Sequence, residues 1–198
     1  MVFRKVLNVF CLLYIIPLNH ARLYQFFFAN ENLFDKCSDI PGNNGIRDLF
    51  DLTEFNIEYS DGNIYLSGNA TIVWDVQPED RIELRCEVFK YERGNWQPTI
   101  YNLLSNDFCR DQYKEDLIWY QVWSKYIPTE ERLCVNHRGL TYHYIPYSMN
   151  LINDAPLMPE GRHKLMLTFT AYENGIAKRP NSICFQYVGE FLKDTQSL

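Results

Sequence analysis

The chain has 198 residues, 46% of them hydrophobic and 16% aromatic, with a formal net charge of −6. That length suits one domain with a real core, and an acidic chain without any Lys/Arg cluster is a poor fit to nucleic acid, whose phosphates attract basic patches. The 14 Tyr, 13 Phe and 4 Trp are more bulk than a small core commonly requires.

The chain opens with Arg4 and Lys5, followed by an apolar run from Val6 to Leu18. This reads as a secretory signal peptide over residues 1–21, because the run is too short to span a bilayer. Ala21 suits the last position before cleavage; Asn19 is not the small residue preferred two places earlier. The competing reading is a membrane anchor. No other segment is long and apolar enough to span, so no stable membrane insertion is expected. Cleavage removes Arg4 and Lys5 and moves the formal charge from −6 to −8. It leaves residues 22–198 as a single domain that is secreted and extracellular.

Cys11 departs with the leader. Cys37, Cys86, Cys109, Cys134 and Cys184 remain, an odd number in a compartment where most should pair. At least one is then free or bridges two molecules. Asn69-Ala70-Thr71 is a glycosylation sequon, which suits a surface strand or turn.

In chain order, the turn formers of 42–45 precede an alternating stretch in which Phe55, Ile57 and Tyr59 share a face. Asp61-Gly62 fits a tight hairpin turn. Ile64 and Leu66 resume the alternation, followed by Ile72, Trp74 and Val76. After Gln77-Pro78-Glu79-Asp80 comes a second run, with Ile82, Leu84, Cys86 and Val88 on one face and Arg81, Glu83, Arg85 and Glu87 on the other. A period of two marks half-buried strands. Residues 53–104 therefore read as an antiparallel meander of four or five strands.

Residues 111–127 read as one helix, capped by Asp111 and stopped by Pro128. At 100° per residue its apolar arc is about 200° wide, roughly twice what resting on a core requires. After Cys134 the strands return: an aromatic stretch over 140–152, a strand from His163 to Tyr172 behind a Pro/Gly loop, and a last strand from Ser182. On 163–172 either Leu165, Leu167 and Phe169 or Met166 and Thr168 can face inward. The fold expected is mainly β, an antiparallel sandwich or cup with one inserted α-helix.

Catalytic signatures are absent: there is no HExxH, GxSxG, Walker loop or GxGxxG. Cys134 and His137 have the spacing of half a zinc site, without the second pair that zinc needs. Asp80, Glu83 and Glu87 read as a solvated face rather than an acid/base pair. His137, His143 and His163 have no obvious nucleophile to activate. The expectation is no enzyme, no metal and no cofactor. What stands out is apolar excess. If the sheets splay, their inward side chains line a lipid cavity; if they close, the same residues fill a core. Each buried methylene of a guest gives about 0.8 kcal/mol, so about a dozen suffice for firm gross binding. Periodicity alone leaves both readings open.

Several blocks carry a resemblance: "WDVQPEDRIE" (74–83), "RGNWQPTIYN" (93–102), "DFC" (107–109), "PEGRHKLMLTFTAY" (159–172) and "KRPNSICFQYVGEF" (178–191). In order and over about residues 35–192, they resemble the insect CheB family, secreted proteins similar to the ganglioside-activator branch of the ML lipid-recognition superfamily. The resemblance implies a β cup holding a lipid or long-chain hydrocarbon, and a role in contact chemosensation and pheromone detection, with a chemosensory receptor or channel as a further partner. It also implies a Cys37–Cys184 bridge. A Cys109–Cys134 bridge would clip the helix onto the sheet and leave Cys86 as a buried hydrophobe, with Cys86–Cys109 as the competing pair. The long helix departs from a plain cup; over its open edge, Trp119 or Trp123 would touch ligand, the alternative being that both only pack on the sheet.

The expected cavity residues are Ile57, Tyr59, Leu66, Ile72, Trp74, Leu84, Val88, Trp119, Trp123, Leu167 and Phe169. The expected function is a lipid carrier or presenter. The alternative is a protein-interaction module or receptor accessory subunit with a filled core.

Overall fold

The computed structural model describes residues 23–29, 33–60, 63–149, 151–154 and 160–193. The leader with Cys11, the Asp61-Gly62 turn and the 155–159 part of the Pro/Gly loop lie outside the described residues. The fold is mainly β: two antiparallel sheets with a cavity between them and two short helices to one side.

The larger sheet has β1 (Leu23–Phe28), β6 (Arg81–Glu92), β7 (Asn95–Ser105), β9 (Leu151–Asp154), β10 (Gly161–Glu173) and β12 (Ile183–Lys193) as its main path. Their order is β7-β6-β10-β12-β1-β9; the two-residue strands β2 (Asp35–Lys36) and β11 (Ala177–Lys178) pair with β12 and β10. The smaller sheet centres on β5 (Asn63–Ile72), with β3 (Phe50–Asp51) and β4 (Phe55–Ser60) along one edge and β8 (Thr141–Met149) along the other.

The single meander expected over 53–104 is two hairpins in different sheets. β5 ends at Ile72, and the chain crosses between sheets over residues 73–80 before β6 begins. Asp80 pins this crossover. Its carboxylate accepts from Gln77 N–H (2.8 Å) and from Arg179 (2.5 and 3.0 Å), while Asn136 Nδ2 donates to the carbonyls of Pro78 and Asp80. Asp80 is therefore buried, not part of a solvated acidic face. β1 was also hidden in the sequence reading, which placed no element there; its Tyr24, Phe26 and Phe28 alternate into the core. The ring of Phe26 crosses Gly189 so closely that a Cβ there would meet it at 2.6 Å.

The helix expected over 111–127 is broken into α1 (Phe108–Asp111), α2 (Ile118–Val122) and a 3-10 turn over Ser124–Tyr126. The cap is Asp107, which accepts from Arg110 N–H. Asp111 instead turns inward to Ser105 Oγ (2.8 Å) and Lys114 Nζ (2.7 Å), and Leu117 is extended at φ −95°, ψ 147°. A straight helix could bury only one stripe; the break lets a 200°-wide apolar arc, about that much by the helix period, face two ways. Phe108 stacks on Trp123 and meets Trp119 and Phe169 edge-on.

Two disulfides lock the frame. Cys37–Cys184 closes a separation of 147 residues and Cys109–Cys134 one of 25. Cys37, Met166 and Cys184 form a small cluster of their own, beneath Ile40 and Phe89. That fixes the open question on β10: Leu165, Leu167 and Phe169 face the inter-sheet core, and Met166 faces the opposite way.

Candidate functional site

Between the sheets lies a cavity of about 450 Å³. That falls within the range of small-molecule sites, and well above voids that merely reflect imperfect packing. Antiparallel register builds its wall on the larger sheet. Val88, Leu165 and Tyr187 stand opposite one another on β6, β10 and β12, and Cys86, Leu167 and Phe185 form the next row. Directly paired residues share a face, so each row lays a continuous apolar strip across three strands.

The facing wall comes from the smaller sheet: Leu66 and Ala70 of β5, Phe55 of β4, and Tyr144, Tyr147 and Met149 of β8. Strict alternation would send Tyr144 and Tyr147 to opposite sides. Both nevertheless line the cavity, because β8 bulges: Leu66 pairs Tyr147 and Gly68 pairs Tyr144, so β8 spends three steps where β5 spends two. The extra residue sits at Ile145-Pro146, both exposed. A bulge resets the side-chain phase, and proline tolerates it because it gives no N–H to the ladder. Gly68, at φ +95°, faces the same irregularity; a Cβ there would meet the Glu54 carbonyl at 2.2 Å.

Ile118 and Trp119, with Val122 and Trp123, supply a third wall from α2 and the residue after it. The mouth lies at β7. Ile100 and Leu103 line the cavity yet are 84% and 44% exposed. Here too a register break is the cause: Glu87 pairs Asn102 and Phe89 pairs Pro98, so β7 carries extra residues between them. Asn102 is the one lining residue outside the hydrophobic class among those described.

Charge is kept out. Burial pushes the Cys86 thiol up to about 12. Burial likewise raises the Tyr144, Tyr147 and Tyr187 phenols well above their ordinary range. The described lining residues include no Lys, Arg, His, Asp or Glu.

Of the expected cavity residues, Leu66, Leu84, Val88, Trp119, Trp123, Leu167 and Phe169 line it. Ile72 and Trp74 do not; both are buried in the core beyond it, and Trp74 Nε1 donates to the Asn181 carbonyl at 2.9 Å. Ile57 and Tyr59 do not line it either. They pair Leu66 and Ile64 and so share the inner face, but β4 is the sheet edge, leaving them 37% and 42% exposed. Alternation gives the face of a residue and not how far the opposite sheet extends over it. The sequence reading missed Tyr144, Tyr147 and Tyr187; Pro146 inside an aromatic strand was the signal for the first two.

Cys86 is unpaired and buried. His137 sets Nδ1 against the Cys134 carbonyl (3.2 Å) and Asn136 Oδ1 (2.9 Å), and Cys134 is already bridged. Among the described residues no three of His, Cys, Asp and Glu gather as a metal site. Among them, too, no helix is long and apolar enough to cross a membrane. Asn69 is half-buried on β5, and its Nδ2 donates to Glu54 Oε2 at 2.9 Å. No protein-family model matches the chain, and no curated protein matches it.

Proposed function

We propose that this protein is a secreted, non-enzymatic carrier or presenter of a lipid or long-chain hydrocarbon-like guest. The observation that carries the reading is the 450 Å³ cavity with its apolar lining. At roughly 30 Å³ per methylene-sized group, it holds a chain of about 15 such groups. At about 0.8 kcal/mol each, burying them would drive firm binding without any reactive residue. A hollow of this size favours carriage over an interaction module with a filled core.

Two disulfides support placement outside the cell. Membership of the CheB branch, a part in contact chemosensation with a receptor or channel as partner, and a glycan on Asn69 belong to the same proposal. They rest on the sequence blocks and the sequon.

Native mass spectrometry of gently purified protein tests the carrier reading. A mass excess that extraction identifies as a lipid or hydrocarbon is the expected result. An empty protein that also takes up no fluorescent fatty acid or hydrocarbon probe would overturn it.

A further inference from the structure

We propose that the cavity selects a neutral guest bearing one hydrogen-bond-accepting oxygen, held by the hydroxyls of Tyr144, Tyr147 and Tyr187. This deepens the carrier reading and rests on it.

The three phenols belong to opposite walls, two on β8 and one on β12, and each is at least nine-tenths buried. Their rings are fixed. Tyr147 stacks on Tyr126 at 3.9 Å between centroids, and lies 6.3 Å from Tyr144. Tyr187 is gripped by Phe28, Phe34 and Phe185 at 5.5–5.8 Å. Their hydroxyls are underused. Tyr144 oxygen accepts from Trp123 Nε1 at 2.8 Å, so its own proton remains to be donated. Among the described residues, the Tyr147 and Tyr187 hydroxyls have no hydrogen-bond partner. Both residues are buried and line the cavity.

Buried polar groups in folded proteins are almost always paired, and those left open in an otherwise apolar pocket orient its guest. The chemistry here is donor chemistry, since three phenols line a cavity whose described lining residues include no cation. A carboxylate would enter without any charge to offset its lost water. A plain alkane would leave the hydroxyls unmet. A ketone, ester, aldehyde or alcohol oxygen satisfies them.

The test is displacement of the fluorescent probe N-phenyl-1-naphthylamine from the full secreted chain by tetradecane, 2-tetradecanone and tetradecanoate ion. The ketone should displace it at about three- to tenfold lower concentration than the alkane, the worth of one net hydrogen bond, with the ion weakest. In a Tyr147→Phe/Tyr187→Phe variant, shown folded by circular dichroism, that preference should collapse. In Tyr65→Phe, an exposed tyrosine on the sheet that carries Tyr147, it should persist. Equal displacement by ketone and alkane, or a preference that survives the double substitution, would overturn the ligand class while leaving the carrier reading intact. If the probe binds and none of the three displaces it, the ligand class is overturned as well, while the carrier reading stands or falls by the native mass measurement.

Discussion

Arg179 holds Asp80 through two nitrogens, Nε at 2.5 Å from Oδ2 and Nη2 at 3.0 Å from Oδ1. The pair ties the crossover between the two sheets to the residue that follows β11. Burial would raise the Asp80 pKa, but Arg179 and the Gln77 N–H outweigh it and hold the carboxyl below its ordinary range. Folded Asp80 therefore binds a proton less readily than unfolded Asp80. Its contribution is complete above the usual aspartate value of about 4 and fades as the pH falls through the folded value. Asp80→Asn should cost about 2–3 kcal/mol at pH 7, read by denaturant unfolding, and the gap from the parent should narrow below about pH 4.

The cavity makes a size prediction. Leu167 and Ala70 line opposite walls. A Leu167→Trp/Ala70→Phe variant fills space that a guest would use, and should weaken uptake of an apolar probe by about tenfold or more, by excluding methylenes worth roughly 0.8 kcal/mol each. Ile57→Ala, on the exposed edge strand outside the lining, should change uptake by less than about twofold, as exposed substitutions usually do. Fluorescence titration distinguishes the two.

Cys86 should be chemically silent in the folded protein. With its thiol pushed up to about 12, only about one molecule in ten thousand carries a thiolate at pH 8. Iodoacetamide should leave the native chain unmodified over hours and add one label promptly in denaturant, as read by intact mass. Rapid native labelling would show that the wall formed by β6 opens.

The two disulfides close loops of very different length, 147 and 25 residues apart in sequence. If they act by restricting the unfolded chain, the long bridge is worth about 5 kcal/mol and the short one about 3.5 kcal/mol. Replacing each pair by alanine and comparing denaturation midpoints should give losses in that order. A larger loss from the Cys109–Cys134 pair would mean that anchoring α1 to the chain before β8 matters more than loop closure.

The amino-acid sequence by itself determined most of the strands and, on β6, which face is buried. Alternation placed Ile82, Leu84, Cys86 and Val88 on one side of β6, and they are buried there. It also placed Ile64, Leu66 and Ile72 of β5 inward, where they are buried, and left charge to the outside of β6. What it could not determine was which sheet a strand joins, because hydrogen-bond partners far along the chain do not alter a local period of two. Hence one meander became two hairpins, and Ile72 and Trp74 passed beyond the cavity. Nor could it determine the three tyrosines. Tyr144 and Tyr147 share a face only because β8 bulges at Ile145-Pro146, and Tyr187 joins them only because the register with Leu165 and Val88 carries it across from the other sheet. A pattern can say that a side chain points inward; only the packing of two sheets decides whether it meets another side chain there or an empty space.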